Sequence, residues 1–281
     1  MSLTTTFGII GYPISHSISP VFQQAAFDFV GSSDTYKSYE VHPEQLHSFM
    51  ELVKDSNMRG FNVTVPHKSA VMEYLDEIDD WALKAGAVNT VVRTGNMLKG
   101  YNTDGYGFMT GLYSNTDIKI TESNVLILGA GGSARAVLLS LMDAEAKSIC
   151  IANRTLDNAE LLQRRFDERS SNTHVIAISD PKFLSYVQNA DVIVNCTTIG
   201  MKNTDGILPF TDSDIHSETI LYDLVYNPLR TLMLREGEKA NCTVISGIDM
   251  LVYQGAKAFQ LWFDKEPPVQ VMFNAAKSMI L

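Results

Sequence analysis

Short apolar runs alternate along this chain with longer amphipathic segments, a pattern that is typical of α/β proteins. In the first part of the chain the apolar runs predict strands over residues 7–10, 36–41, 60–65, 88–93 and 97–101. Helical periodicity predicts helices over residues 19–29, 43–53, 68–75 and 80–85. Gly95-Asn96 is a turn signal between the last two strands, so we expect a hairpin there.

The second part of the chain repeats a strand–helix alternation that predicts a parallel, doubly wound sheet. After a helix over 104–113, strands are expected over residues 125–128, 149–152, 175–178, 192–196, 220–225 and 243–245. A turn and helix are expected over 129–143, and another helix over 156–168. Two last helices, over 249–263 and 268–280, have no strand left to serve, so we expect them to pack back onto the first part.

The pattern therefore predicts an α/β protein of two domains with a cleft between them. The first domain is expected to be discontinuous and to comprise residues 1–103 and 247–281. The second is expected over residues 104–246 and to be Rossmann-like.

The composition, with 45% hydrophobic and 19% charged residues, is that of a globular protein with a full core. No apolar run reaches the ~18 residues of a membrane span, and the first residues lack the regions of a signal peptide. We therefore expect a cytoplasmic protein without membrane partners. The formal net charge of −10 argues against nucleic-acid partners and requires that any anion site be built locally.

Cysteines give no sign of a metal centre or a disulfide framework. Cys150, Cys196 and Cys242 are scattered through apolar, strand-like stretches without C-x-x-C spacing. Because such frameworks need clustered cysteines, we expect all three in the core and predict no metal site.

A glycine-rich turn follows the first strand of the second domain and opens a helix. Its residues are Gly129-Ala130-Gly131-Gly132-Ser133-Ala134, which fit the pattern G-x-G-x-x-G/A. Gly129 permits a tight turn, Gly131 lets backbone approach a pyrophosphate, and Ala134 allows close helix–strand packing. Free N–H groups at the helix start bind phosphate. In this strand–turn–helix–strand context the motif predicts a dinucleotide site, although such turns also occur for packing alone.

The end of the next strand bears on which dinucleotide is bound. Sites for NAD usually place an acid there, whereas this chain has Asn153-Arg154-Thr155. A guanidinium pairs with a 2′-phosphate that a carboxylate would repel, so NADP is favoured. The alternative is that Arg154 is a surface residue and that Thr155 caps the next helix.

Four polar segments of the first domain look unusual as pure structure. They are 15–20 (S-H-S-I-S-P), 62–68 (N-V-T-V-P-H-K), 85–90 (A-G-A-V-N-T) and 102–105 (N-T-D-G). Each places small polar residues at the end of a predicted element, and Asn62 and Thr64 share a face of their strand. In open α/β folds such ends are where ligands bind.

These segments, followed by G-A-G-G, N-R-T and a late Gly247 with Gln254, resemble the shikimate dehydrogenases in order and spacing. The resemblance extends from about Gly8 to Phe259 and rests on the ordered combination of motifs. It implies reversible NADPH-dependent reduction of 3-dehydroshikimate to shikimate in aromatic amino-acid biosynthesis. It also implies that the first domain binds this small-molecule substrate and the second binds NADP, in a monomer or homodimer.

The resemblance implies a role for each motif residue. Lys68 and Asp104 would be the catalytic pair, and Ser17 and Ser19 would hold the substrate carboxylate. The ring hydroxyls would be bound by Asn62, Thr64, Asn89 and Gln254. The cofactor would be bound by Gly129, Ala130, Gly131, Gly132, Ser133, Asn153, Arg154, Thr155, Tyr226 and Gly247, with the last two at the nicotinamide.

The chemistry fits Lys68 as the catalytic residue. Hydride transfer to a ketone builds negative charge on its oxygen, which needs a proton or a cation nearby. Without the motifs, Lys68 would be read as a solvated lysine and Asp104 as a helix cap. His67 is a weaker candidate, because neighbouring residues on a regular element point in different directions, and we expect His67 and His16 to be structural.

One departure leaves alternatives open. Many NADP-specific members of the family carry a second arginine four residues after the first, where this chain has Asn158. A quinate/shikimate dehydrogenase that uses NAD or both cofactors is therefore the nearest alternative. A folate-linked dehydrogenase should lack the N-T-D-G and S-x-S-P segments, and a catalytically silent nucleotide-binding regulator is disfavoured by the intact Lys68 and Asp104.

Overall fold

The computed structural model describes residues 5–166, 172–201 and 207–280. The chain forms two compact units, and the α/β class that the pattern predicts is confirmed. The first unit comprises Met1–Gly107 and Val252–Met279, and the second comprises Phe108–Leu251. The chain passes from one unit to the other twice, each time inside a helix: after Gly107 and before Val252.

The first unit is built on six strands with helices on their flanks. Its strands are β1 (Thr6–Gly11), β2 (Thr35–Glu40), β3 (Met58–Val63), β4 (Glu77–Ile78), β5 (Thr90–Thr94) and β6 (Met97–Tyr101). Its helices are α1 (Ser19–Phe29), α2 (Leu46–Asp55), α3 (Asp80–Ala85), the start of α4 (Asp104–Asn115), most of α9 (Gly247–Phe263) and α10 (Val269–Ser278).

The sheet of the first unit has the order β2-β1-β3-β5-β6-β4. Strands β1, β2 and β3 are parallel, whereas β5 and β6 form the antiparallel hairpin predicted at Gly95-Asn96. An aromatic cluster of Phe7, Phe27, Phe259 and Phe263 joins β1 and α1 to α9. The packing of α1 on α10 adds to it, so the end of the chain helps to cover the first sheet.

The second unit contains a six-stranded parallel sheet. Its strands are β7 (Asn124–Leu128), β8 (Ser148–Asn153), β9 (Thr173–Ala177), β10 (Val192–Asn195), β11 (Ile220–Asp223) and β12 (Thr243–Ser246). Its further helices are α5 (Gly132–Asp143), α6 (Leu156–Arg164), α7 (Phe183–Gln188) and α8 (Leu232–Lys239).

The order β12-β11-β10-β7-β8-β9 is that of a doubly wound Rossmann sheet. Strand order reverses between β7 and β10, because the chain winds outward in one direction from β7 and returns to β10 on its other side. Ligands of such sheets bind outside the carboxyl ends of the strands at this reversal. The glycine-rich turn follows β7 and therefore lies at this position.

The structure differs from the predicted pattern after β3. The helix predicted over 68–75 is wrong, since only a 3₁₀ helix over Ala70–Tyr74 forms. The Lys68 carbonyl accepts a hydrogen bond from Val88 N–H at 2.7 Å, so it is not used by the N–H of Met72 as an α-helix would require. Met72 instead donates to Ser69. The short β4 has no counterpart in the prediction.

Cysteine burial also differs from the expectation. Cys150 is buried, but Cys196 and Cys242 are only partly buried. Burial raises the pKa of the Cys150 thiol to about 12. Among the described residues, no three His, Cys, Asp or Glu side chains are grouped so that they could hold a metal ion. The described helices include none that is long and apolar enough to cross a membrane.

Candidate active site

Lys68 and Asp104 form an ion pair in the first unit. Lys68 lies in the turn after β3, and Asp104 is the first residue of α4. The Lys68 Nζ is 2.6 Å from Asp104 Oδ2, and the two side chains are 23% and 8% exposed. The carboxylate is thus sheltered while part of the lysine reaches solvent. A cation held this way is available to a molecule that approaches the exposed side of the pair.

Asn89 fixes the other oxygen of the carboxylate. Its Nδ2 donates to Asp104 Oδ1 at 2.8 Å, and its Oδ1 accepts from the Thr103 backbone N–H at 2.8 Å. Because a backbone N–H can only donate, this contact sets which end of the amide faces Asp104. The backbone N–H of Asp104 donates to Asn102 Oδ1 at 2.9 Å, which holds the start of α4. The orientation of the pair is therefore determined by the residues around it.

Asn62 extends this network into the sheet. Its Oδ1 accepts from the hydroxyl of Tyr36 at 2.7 Å, and its Nδ2 donates to Asn89 O at 3.1 Å and to Thr90 Oγ1 at 3.0 Å. Burial raises the pKa of Tyr36 well above its usual range, so this phenol stays protonated as a donor. Asn62 and Asn89 are 5% and 2% exposed. Their amides already have partners within the protein, so either must exchange a hydrogen bond to contact a ligand.

The other predicted substrate residues lie in the same unit. Ser19 begins α1, and its backbone N–H donates to Ser17 Oγ at 3.3 Å. Thr64 follows β3 and is tied to β1 by its N–H, which donates to Ile10 O at 2.9 Å. Gln254 on α9 accepts from Asn89 Nδ2 at 3.2 Å, which connects it to the network of the ion pair. The four side chains thus lie at the start or end of an element or beside Asn89.

The two histidines of these segments are placed as structural residues. His67 is 1% exposed, and its Nε2 lies 2.6 Å from the carbonyl oxygen of Val41. His16 lies in the exposed turn before α1. The buried contact with the backbone supports the expectation that His67 is structural.

The glycine-rich turn, which the sequence predicts as a phosphate cradle, combines one constrained glycine with two that border open space. Gly129 has a φ of +101°, and a Cβ there would lie 2.8 Å from Thr197 Cγ2. A Cβ at Gly131 or Gly132 would have no atom within 4 Å, so these two positions border open space. Ala134 is completely buried against the sheet. The backbone conformation and the close contact therefore explain the glycine at 129, whereas nothing in the protein crowds positions 131 and 132.

The end of β8 presents the predicted adenosine residues beside this turn. Asn153 Nδ2 donates to Thr155 O at 2.8 Å, which shapes the turn into α6. Thr155 is the residue before α6, but its hydroxyl makes no capping hydrogen bond. Arg154 is exposed and has no acidic partner among the described residues. The Arg154 guanidinium and the Thr155 hydroxyl are therefore both available to a ligand.

Tyr226 and Gly247 lie after β11 and at the start of α9. Burial raises the pKa of Tyr226. A Cβ at Gly247 would lie 2.2 Å from the Leu224 carbonyl oxygen, so the start of α9 and the segment after β11 can only approach this closely through a glycine. Close packing is therefore a sufficient reason for Gly247.

Some residues that shape the site had no role in the sequence interpretation. Thr90 and Thr103 hold the Asn89 amide, and Tyr36 holds Asn62. Both threonines belong to the quoted segments A-G-A-V-N-T and N-T-D-G, so their position beside Asn89 and Asp104 was the available signal. The sequence contained no such signal for Tyr36, because its contact with Asn62 depends on the pairing of β2, β1 and β3.

Comparison with known proteins covers nearly the whole chain. Family models match in order along it: the shikimate dehydrogenase substrate binding domain at residues 9–91, shikimate / quinate 5-dehydrogenase at 113–202, and the shikimate 5′-dehydrogenase C-terminal domain at 247–277. The shikimate dehydrogenase (NADP(+)) of Methanopyrus kandleri is 42% identical over 274 residues, which are 97% of this chain and 94% of that protein.

Two solved structures show the same architecture. A shikimate dehydrogenase crystallised with NADP⁺ has a TM-score of 0.91 at 38% identity and covers 99% of this chain and 96% of its own. The shikimate 5-dehydrogenase of Listeria monocytogenes, in complex with shikimate and NAD, has a TM-score of 0.91 at 32% identity, with 100% and 98% covered. Because the 42% identity spans 97% of the chain and the family models follow in order, the chain belongs to the shikimate dehydrogenase family.

Proposed function

We propose that this chain is an NADP-dependent shikimate dehydrogenase that reversibly reduces 3-dehydroshikimate to shikimate in aromatic amino-acid biosynthesis. The observation that supports it most is the partly exposed Lys68 ammonium, held 2.6 Å from a carboxylate that Asn89 also fixes. The relative from Methanopyrus kandleri is named for the same activity. We further propose that the first unit binds the substrate and the second binds NADP.

The residues of the second unit fit NADP. Gly131 and Gly132 border open space, where backbone N–H groups at the start of α5 can face a pyrophosphate. Gly129, Ala130 and Ser133 complete this turn, and Asn153, Arg154 and Thr155 stand where the adenosine ribose and its 2′-phosphate would be held. Tyr226 and Gly247 remain our candidates for the nicotinamide side. When bound, NADPH supplies the hydride.

The chemical role of the chain is to stabilise the oxygen that receives negative charge. Lys68 would face the ketone oxygen of 3-dehydroshikimate and donate a proton to it as the alkoxide develops. Asp104 would hold the lysine in place through Oδ2, while Asn89 prevents the carboxylate from turning away. In the reverse direction Lys68, as the neutral amine that the forward step leaves, would accept the proton of the shikimate hydroxyl. The chain thus contributes orientation and one proton at a defined atom.

The remaining polar residues would orient the substrate. Ser17 and Ser19 at the start of α1 are suited to its carboxylate, because hydroxyls and free N–H groups at a helix start bind anions. Thr64 and Gln254 are the candidates for the ring hydroxyls. Asn62 and Asn89 would join them only by exchanging existing hydrogen bonds, so we assign their main effect to positioning Asp104.

Use of NAD, alone or beside NADP, is the second candidate. Asn158 stands where many NADP-specific members have an arginine, and the Listeria relative was crystallised with NAD. A silent regulator is disfavoured because the ion pair is intact. The cytoplasmic location and the monomeric or homodimeric state also stay predictions.

A steady-state assay tests the proposal. Formation of NADPH or NADH would be followed with shikimate and with quinate, each with NADP⁺ and with NAD⁺. The proposal expects the highest kcat/KM for shikimate with NADP⁺. Comparable values with NAD⁺ would favour the second candidate, and no turnover of either substrate would favour the regulator.

A further inference from the structure

A pocket of about 600 Å³ lies between the glycine-rich turn and α6 in the second unit. Its lining includes Ala130 of the turn, Arg135 on α5 and Asn158 on α6. The end of α6 contributes Arg164 and Arg165. The pocket therefore joins the phosphate cradle to the position where the family's second arginine is missing.

Of the three arginines that line this pocket, one has an acidic partner among the described residues. Arg164 is paired with Glu160 at 3.0 Å. Arg135 and Arg165, in contrast, have no acidic partner within the part of the chain that the structure describes. Burial and, secondarily, the charge of Arg165 lower the pKa of Arg135. Two cations that face one pocket without a carboxylate repel each other, and a bound anion would relieve this repulsion.

The placement of Arg135 connects the pocket to the cofactor. Arg135 is in the first turn of α5, the helix whose N-terminus faces the pyrophosphate position, and its backbone N–H donates to Gly131 O at 3.3 Å. Arg154 directly follows β8 and is exposed, but it is not among the residues that line the pocket. An anion in the pocket between the turn and Asn158 would thus lie beside the Arg135 guanidinium.

We propose that Arg135 is the second cation for the 2′-phosphate of NADP and takes the place left open by Asn158. This inference rests on the proposed NADP-dependent function and adds a residue that determines its cofactor specificity. Asn158 then provides room and an amide donor, while the charge comes from the neighbouring helix. The chemistry recognised is a phosphomonoester dianion, which guanidinium groups bind through charge-assisted hydrogen bonds.

Calorimetric titration of the whole chain tests this assignment. Wild type, Arg135→Gln and Arg164→Gln would each be titrated with NADP⁺, NAD⁺, 2′,5′-ADP and inorganic phosphate. Arg135→Gln should weaken NADP⁺ and 2′,5′-ADP about ten- to hundredfold and leave NAD⁺ unchanged, as expected for a lost charged hydrogen bond. Arg164→Gln is the matched control, since its charge is already paired with Glu160.

Two further variants test whether a cation at position 158 can replace Arg135, and whether the conclusion holds if Arg135→Gln does not fold. Arg135→Gln combined with Asn158→Arg should recover NADP⁺ affinity, because it returns a cation to the pocket. Arg135→Lys keeps a charge without the planar fork and should bind NADP⁺ with intermediate affinity, which keeps the test valid if the glutamine variant unfolds.

The outcomes separate this inference from the function on which it rests. Wild-type binding that is equal for NADP⁺ and NAD⁺ would overturn NADP dependence and this role together. Preferential NADP⁺ binding that Arg135→Gln retains would overturn the role of Arg135 alone. Equal losses for both dinucleotides, equal losses in the Arg164 control, or free phosphate bound as tightly as 2′,5′-ADP would also contradict it.

Discussion

The Lys68–Asp104 pair shows how a buried amide can direct a partly exposed cation. Asn89 donates to one oxygen of Asp104, and the other oxygen accepts from Lys68. The backbone N–H of Thr103 donates to Asn89 Oδ1 and so fixes the orientation of the Asn89 amide. This chain of hydrogen bonds fixes the carboxylate to which Lys68 is paired and so favours one position of its ammonium.

Lys68→Ala tests the role of that lysine. We expect kcat to fall by roughly 10²–10⁴-fold, the usual effect of removing a general acid or base. Shikimate affinity should change far less, because the other polar groups of the site remain. Steady-state kinetics and calorimetry with shikimate would measure the two effects. A folded Lys68→Ala protein with the wild-type kcat would remove Lys68 from the mechanism.

Ser17→Ala and Ser19→Ala test the carboxylate site. Each should mainly raise KM for shikimate, since each removes a hydroxyl from the start of α1 where an anion can bind. Thermal unfolding would serve as the control in both cases. If the free energy of unfolding fell while KM stayed unchanged, the two serines would only support the helix start.

Arg154→Ala tests cofactor choice at the end of β8. Loss of a charge-assisted pair of ~1.5–3 kcal/mol should raise KM for NADP⁺ about ten- to hundredfold. NAD⁺ kinetics should barely change, because NAD lacks the 2′-phosphate. Asn158→Arg should have the opposite effect and lower KM for NADP⁺. Equal losses with both cofactors would mean that Arg154 supports the fold.

At the scale of elements, two glycines illustrate different reasons for the same residue type. Gly247 lets the start of α9 approach the segment after β11, with a hypothetical Cβ 2.2 Å from Leu224 O. Gly131 lies before α5 beside open space. The first glycine therefore serves packing, and the second serves access for a ligand.

Gly247→Ala and Gly131→Ala should consequently fail in different ways. Gly247→Ala should lower the free energy of unfolding by about 1–3 kcal/mol or more through overpacking. Gly131→Ala should leave stability nearly unchanged, since its backbone is extended with φ −86° and ψ −165°, but should weaken dinucleotide binding. Chemical denaturation and calorimetry would distinguish them. Unchanged NADP⁺ affinity in Gly131→Ala would contradict the proposed cradle.

The sequence predicted most elements because their periodicity is long and regular. α1 was predicted with its observed bounds, and the β5–β6 hairpin turned where Gly95-Asn96 indicated. The helix over 68–75 failed because a long-range hydrogen bond from Val88 takes the Lys68 carbonyl. No local pattern contains such a bond. β4, with two residues, is too short to show any periodicity.

The candidate site was predictable to a similar extent. The motifs identified Lys68 and Asp104, which the fold brings to 2.6 Å. They did not reveal that the Asn62 and Asn89 amides already have hydrogen-bond partners, because the Tyr36 hydroxyl reaches Asn62 only through the pairing of β2, β1 and β3. The sequence contained no signal for Arg135 either, because the pocket that it lines is formed jointly by the glycine-rich turn, α5 and α6.

At the scale of the whole molecule, the net charge of −10 makes local cations decisive. Both proposed ligands are anions, so long-range attraction does not favour either. The cations that we assign to these ligands are Lys68 in the first unit, and Arg154 and Arg135 in the second. The membership of the chain in the shikimate dehydrogenase family, predicted from the motifs, is confirmed by a relative that is 42% identical over 97% of the chain.

Deuterium transfer from NADPH would show whether this chain catalyses the proposed reduction. The protein would be incubated with 3-dehydroshikimate and NADPH that carries deuterium at both positions of nicotinamide C4, and the product would be identified by mass spectrometry and NMR. Our account predicts shikimate with one deuterium on the carbon that bears the newly formed hydroxyl. Shikimate without deuterium, or no shikimate while the Lys68–Asp104 pair is intact and NADPH is bound, would contradict it.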